Sequence, residues 1–241
     1  MHDPHCPVPR PTRIYGRDVL TKDEPVRAVL LQQITTHLVH TGYVTLDEAR
    51  DAGRVLAERM RVDEAGAVRG VEEVWERRLA EQAEWADEGD AAKVAIAFTA
   101  LRSAGWAVRD GVDCCRDTGL EPVETEHGPD DKFYVILGVQ EMIGAVATGT
   151  LTLSFSFLDS AFGHVLTPEL LALANAGDRE AQRSWLTSVE EAERLSGSGI
   201  VHALSKVGLD VRWGGTGGDI IEVEVRDWRK RLPGSASYDV V

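Results

Sequence analysis

Two adjacent cysteines, Cys114 and Cys115, are the residues of this chain whose types best suit chemistry. They follow a predicted strand from Trp106 to Val112, where a strand gives way to a loop. Adjacent cysteines do not easily form a disulfide with each other, but either one could serve as a thiolate nucleophile or as a metal ligand. The other interpretation is that one thiol is buried as a small apolar group and the other is half-exposed.

A metal site at the cysteines would need further ligands, because a structural zinc ion takes four. The polar loop that follows offers Asp117, Glu121 and His127. These ligands are open alternatives, and we assign neither a metal ion nor any other cofactor. No residue is assigned a catalytic role.

A small-molecule site would draw on polar side chains near the cysteines. Gln140 follows the next predicted strand, and a later strand at 151–157 alternates apolar residues with a small polar face. That face consists of Thr152, Ser154 and Ser156. We therefore name Cys114, Cys115 and Gln140 as the candidates for a site of any kind.

Three other motifs suggest chemistry only superficially. The glycine-rich run 214–218 lies between two predicted strands, whereas a phosphate-binding loop leads into a helix, so the sequence predicts a hairpin turn. The Ser-Gly-Ser-Gly run at 196–199 lies within a helical pattern and lacks the strand that precedes a nucleophile elbow. His37 and His40 lie three residues apart on a predicted helix and are most simply surface or hydrogen-bonded histidines.

The charge of the chain restricts the partners that it could bind. The 241 residues carry a formal net charge of -14, which disfavours binding to nucleic-acid phosphates or to anionic membrane surfaces. No stretch approaches the ~20 apolar residues of a membrane helix, and the N-terminus lacks an apolar signal segment. We expect a cytoplasmic protein whose partner, if any, is another protein or a second copy of the same chain.

The periodicity of apolar residues divides the chain into four parts. We predict a disordered tail at 1–22, a helical segment at 23–89 and a flexible tail at 233–241. Between them lies an α+β domain at 90–232, with an insertion at about 159–187. The predicted sheet is mixed or antiparallel with helices on one face, and a ferredoxin-like arrangement is the specific expectation.

Several residues of this sequence resemble a known family. A helical run contains Trp75, Glu76, Arg78, Leu79, Glu81, Gln82 and Trp85. It is followed by Ala97, Phe98, Leu101, Gly105, Cys114, Cys115 and Gly119, and near the end by Gly208, Leu209, Trp213, Trp228, Arg229, Lys230 and Arg231. Together they resemble the actinobacterial family of domains of unknown function numbered 6891. The resemblance covers about residues 26–232 and implies a shared fold, but it implies no activity.

The chain departs from the pattern of that family at its possible site. The family has a Cys-Cys-x-x-Cys-Gly motif, and Thr118 stands here in place of the third cysteine. The run from Gly138 to Ile143 also lacks the histidine that the family places after a strand. If those residues form a metal or catalytic site in the family, this member lacks one thiolate and one imidazole.

The sequence therefore favours a non-enzymatic cytosolic protein that binds or regulates a partner protein. The alternative is a metal-binding or small-molecule-binding, enzyme-like domain with its site near Cys114 and Cys115. A purely structural or oligomeric role is the third possibility.

Overall fold

The structure is a computed structural model that describes residues 19–112, 127–158, 162–163 and 165–234. In the described part, the chain forms seven α-helices and five strands. The helices are α1 (Glu24–His40), α2 (Leu46–Met60), α3 (Glu64–Ala83), α4 (Asp90–Ser103), α5 (Val139–Thr148), α6 (Pro168–Asn175) and α7 (Arg179–Lys206). The strands are β1 (Trp106–Val112), β2 (Phe133–Gly138), β3 (Thr150–Phe157), β4 (Asp210–Arg212) and β5 (Ile221–Glu224).

The predicted α+β class with a mixed sheet is confirmed. The strands lie in the order β1-β2-β3-β5-β4, with β1 and β2 parallel and every other neighbouring pair antiparallel. The prediction of a ferredoxin-like arrangement was wrong, because that arrangement runs βαββαβ, whereas the described chain has five strands and ends on two consecutive ones, β4 and β5. The long connection at 113–132 permits the parallel pair, since parallel neighbours need a crossover of a dozen or more residues.

The chain forms two compact units. Among the described residues, the first unit comprises 19–92, 139–149 and 226–234, and the second comprises 93–112, 127–138, 150–158, 162–163 and 165–225.

In the first unit, helices α1, α2 and α3 pack against one another, and α5 packs against α1. The start of α2 is fixed by a capping box that its sequence predicts. The Thr45 hydroxyl accepts from the Glu48 amide, and the Glu48 carboxylate accepts from the Thr45 amide.

Helix α3 begins earlier than its apolar pattern indicates. Gly66 and Gly70 predict a break between two helices, but both lie inside α3. The helix is capped at its start by the Asp63 side chain, which accepts a hydrogen bond from the Gly66 amide. At Gly70 the side chain of Gln32 from α1 approaches the backbone, and its Nε2 donates to the Gly70 carbonyl at 3.2 Å. The glycine thus permits close packing of two helices, so its presence does not signal a loop.

In the second unit, helix α7 packs against the sheet. The apolar pattern predicts a start near residue 188 and a middle weakened by two glycines. The helix begins instead at Arg179, where the Asp178 side chain accepts from the amides of Glu180 and Ala181. A Cβ at Gly197 would lie 2.3 Å from the Trp213 ring, and one at Gly199 would lie 2.6 Å from the Trp106 ring. The glycines therefore make room for two tryptophans.

We predict that Gly199→Ala destabilises the protein, although alanine is the better helix former by about 0.5–1 kcal/mol. Trp106 is buried, and its ring centroid lies 4.8 Å from that of Phe133, so it has little room to move. Overpacking of this kind costs about 1–3 kcal/mol, and urea unfolding should show a lower midpoint.

The matched control is Gly144→Ala in α5, where a new Cβ would meet no atom within 4 Å. It should leave the unfolding midpoint unchanged or raise it. Equal midpoints for the two alanine variants would contradict the packing explanation.

Candidate functional site

The residues predicted to form a site are only partly described. Cys114 and Cys115 lie outside the described residues, and the same holds for the possible ligands Asp117 and Glu121. Gln140 is the second residue of α5, is half-buried and belongs to the first unit. A site that combines these residues therefore stays a prediction.

The predicted polar face of β3 has the expected alternation. Leu151, Leu153 and Phe155 are buried, whereas the polar residues between and after them, Thr152, Ser154 and Ser156, are half-buried. The Ser156 carbonyl accepts a hydrogen bond of 3.0 Å from the Ser196 hydroxyl of α7. Ser196, from the run that superficially suggests a nucleophile elbow, therefore joins a helix to a strand.

His127 makes local contacts at the start of a described segment. Its Nδ1 lies 2.9 Å from the Gly128 carbonyl oxygen, and the Gly128 amide donates to Asp131 at 2.7 Å. Among the residues that the structure describes, no three His, Cys, Asp or Glu side chains cluster in a way that could hold a metal ion. The glycine-rich run 214–218 lies between the antiparallel strands β4 and β5, as its sequence predicts.

Arg78 is the most buried charged residue among those described in the first unit, at 5% exposed. Its Nη1 donates to Glu81 at 3.2 Å, and its Nη2 donates to the carbonyl of Trp228 at 3.1 Å. The guanidinium also lies over the ring of Trp85, 4.3 Å from the ring centroid. Burial lowers the pKa of Arg78, but an arginine keeps its charge, so these contacts must compensate for lost water.

His40, at the end of α1, lies beside this guanidinium. Burial, and next the positive charge of Arg78, lower the pKa of His40 to about 4. Its Nε2 is buried and makes no hydrogen bond. The pKa of His37 is also lowered by burial. The imidazole of His40 is therefore neutral at pH 7, and its environment opposes protonation.

The C-terminal segment 226–232 is bound to α3 and to the end of α1 by a set of hydrogen bonds that we call the C-terminal clasp. The Trp228 Nε1 donates to the Thr41 carbonyl at 3.0 Å, and the Leu232 amide donates to the Gln82 side chain at 3.0 Å. Arg231 donates to the carbonyls of Gln82 and Trp85 at 3.0 and 3.2 Å.

The clasp unites two runs that are far apart in the sequence. The tryptophan-rich run at the end of α3 and just after it supplies Arg78, Gln82 and Trp85, and the basic run near the C-terminus supplies Trp228 and Arg231. Because their polar atoms bind one another, we interpret these residues as structural. Each run is visible in the sequence, but no local pattern indicates that the two meet, since 150 residues separate the two ends of the clasp.

The surface that sequence reasoning missed is a helical hairpin formed by α6 and α7. The side chain of Thr167 caps α6, and the chain reverses at Gly177, which has a φ of 92°. The two helices contact each other, and Gln182 Nε2 donates to the Ala174 carbonyl at 2.9 Å. Between residues 168 and 187, the residues that are buried are Ala174 and Ala181.

The hairpin leaves large apolar side chains exposed. Leu173 of α6 and Leu186 of α7 are 54% and 59% exposed, and Leu171 is also exposed. Leucines at 170, 171 and 173 cannot all face α7, because successive helical residues are turned by about 100°. This spacing is the signal in the sequence that some of these leucines stay exposed; the predicted insertion at about 159–187 covers the same residues.

We predict that Arg78→Met destabilises the protein by about 2–4 kcal/mol, because the variant removes a buried charged donor and leaves the Trp228 carbonyl without it. Urea unfolding followed by circular dichroism measures the loss. The neighbouring and exposed Arg77→Met should change stability by less than about 0.5 kcal/mol, and equal losses would refute a specific role for Arg78.

The pKa of His40 predicts a loss of stability in acid. Unfolded, the imidazole takes up a proton as the pH falls through its ordinary pKa of 6.5, whereas in the folded protein it does so only near 4. The unfolded state therefore binds more protons between pH 6.5 and 4, and the free energy of unfolding falls as the pH is lowered through that window.

His40→Gln should reduce that fall, because glutamine does not titrate. Urea unfolding at several pH values across the same window gives the measurement. His202→Gln, at an exposed position of α7, is the control and should keep the wild-type profile. Parallel profiles for wild type and His40→Gln would show that His40 is not responsible.

Of three comparisons with known proteins, the one with protein families gives a match, and it agrees with the resemblance that the sequence suggests. No curated protein and no solved structure matches the chain significantly. The family described as domain of unknown function (DUF6891) matches residues 23–232, from the start of α1 to the end of the clasp. Because that match covers most of the chain, this protein belongs to the DUF6891 family.

Proposed function

We propose that this protein acts by binding a partner protein through the α6–α7 hairpin, without catalysing a reaction. The observation that carries the proposal is the exposure of Leu171, Leu173 and Leu186 on a hairpin that buries two alanines. A contiguous exposed apolar patch is typical of a protein-binding surface, and the hairpin carries three exposed leucines on two adjoining helices.

The energy available at this surface suits an interface. Full burial of a leucine side chain contributes about 1.5–3 kcal/mol. Because Leu171 and Leu173 lie about 200° apart around α6, one partner surface would bury only one of them, together with other exposed side chains of the hairpin such as Leu186. The hairpin is held by two capped helix starts, at Thr167 and Asp178, and by the hydrogen bond between Gln182 and Ala174. A surface formed in advance loses little conformational entropy on binding.

The charge of the chain supports a protein as the partner. A net charge of -14 repels nucleic acids and anionic lipids at long range. No helix of the described part has the length and apolar character needed to cross a membrane.

Site-specific photo-crosslinking in the native host tests the proposal. A photoreactive phenylalanine analogue at Leu173 should give a discrete protein adduct, identified by mass spectrometry. The same analogue at Val29 of α1, which is 58% exposed, is the matched control and should not give that adduct.

A second variant separates binding from folding. Leu186→Ser in the chain that carries the analogue at Leu173 should weaken the adduct and leave the thermal midpoint within about 2 °C, because Leu186 is exposed. A lack of any adduct at Leu173, or the same adducts at Leu173 and Val29, would refute the proposal.

A further inference from the structure

One face of α7 combines an exposed leucine with a separated charge pattern. Arg179, Arg183, Leu186, Glu190 and Glu193 follow one another at spacings of four, three, four and three residues. At 3.6 residues per turn this spacing aligns all five on one face of the helix, which we call the Leu186 face. Glu193 is half-exposed because its side chain lies against Gly217 in the turn between β4 and β5, and the other four are exposed.

The two ends of the Leu186 face carry opposite charge. Arg179 and Arg183 lie on the N-terminal side of Leu186, and Glu190 and Glu193 lie on the C-terminal side. Within one helix, the near neighbours on this face therefore have like charges, which repel each other at these spacings. An opposing surface with the reverse charge order would relieve both repulsions.

We infer that the occupant of the Leu186 face is a second copy of this chain, a conclusion that rests on the proposed function and names its partner. A two-fold axis at Leu186 would pair two α7 helices in antiparallel orientation. Arg179 lies seven residues before Leu186 and Glu193 seven residues after it, so each would face the other across the axis.

The second charged pair matches almost as well. Arg183 lies three residues before Leu186 and Glu190 four residues after it, a mismatch of about 1.5 Å along the helix, which the long arginine side chain can span. Each dimer would then contain two copies of both ion pairs around two central leucines. Glu190 and Arg183 are both exposed, so their substitution should not disturb the fold, and they are the pair to change in a test.

The same pattern disfavours other partners. A uniformly basic surface would be repelled by Arg179 and Arg183, and a uniformly acidic one by Glu190 and Glu193. Parallel pairing of two copies would place arginine opposite arginine. In the antiparallel pair of identical helices, arginines face glutamates at both ends of the Leu186 face.

Complementary charge reversals test this interface. Arg183→Glu and Glu190→Arg are examined by sedimentation velocity, each alone and mixed in equal amounts, with one variant isotope-labelled for native mass spectrometry. The wild type should be a dimer. Each variant alone would oppose like charges twice, and its dimer dissociation constant should rise at least tenfold.

The mixture should restore dimerisation through heterodimers. In a dimer of one variant with the other, the two substituted side chains oppose each other as glutamate against arginine, and the native Arg183 opposes the native Glu190. The matched control is Glu191→Arg, the same charge change one residue away on another face, which should dimerise as the wild type does.

A second measurement does not depend on the charge variants. The photoreactive phenylalanine analogue at Leu186 should yield a crosslinked species of twice the chain mass, whereas the analogue at the exposed Leu195, on the opposite side of α7, should not. A monomeric wild type, or a mixture with no preference for heterodimers, would overturn the inference. A crosslink from Leu173 to a different protein would still support the proposed function in that case.

Discussion

The first unit depends on the need to satisfy one buried guanidinium. Arg78 keeps its charge at any pH that the protein meets, and water is largely excluded from it. Glu81, the Trp228 carbonyl and the Trp85 ring replace part of that water, whereas the buried Nε of Arg78 makes no hydrogen bond. Because Trp228 comes from the far end of the chain, the charge of α3 fixes the position of the C-terminal segment.

The clasp also explains the state of His40. The imidazole of His40 lies beside the permanent positive charge of Arg78 and is partly removed from water. Both effects favour the neutral imidazole, so the low pKa of His40 is a consequence of how the side chains pack and not by itself a sign of catalysis. A strongly shifted pKa often marks an active site, but ion-pair networks produce the same shift.

In the second unit, the two halves of the long helix α7 have different contacts. Its C-terminal half lies on the sheet, where Gly197 and Gly199 admit two tryptophan rings and Ser196 bonds to β3. Its N-terminal half has few buried residues and forms the hairpin with α6. The packing of the C-terminal half holds α7 against the sheet, and the exposed charges of the N-terminal half continue along the same helix.

Several features of the fold follow from local patterns in the sequence. Alternation predicts β3, the apolar run predicts β2, and the Thr45 capping box predicts the start of α2. The resemblance to the family is also visible in the sequence, and the family match over residues 23–232 confirms the family. Local patterns cannot express contacts between distant residues. By propensity Gly70 predicts a break and Gly199 weakens a helix, yet the Gln32 side chain approaches the first and the Trp106 ring packs against the second. Arg78 and Trp228 meet across 150 residues, and the parallel pairing of β1 with β2 depends on contacts that sequence periodicity does not contain.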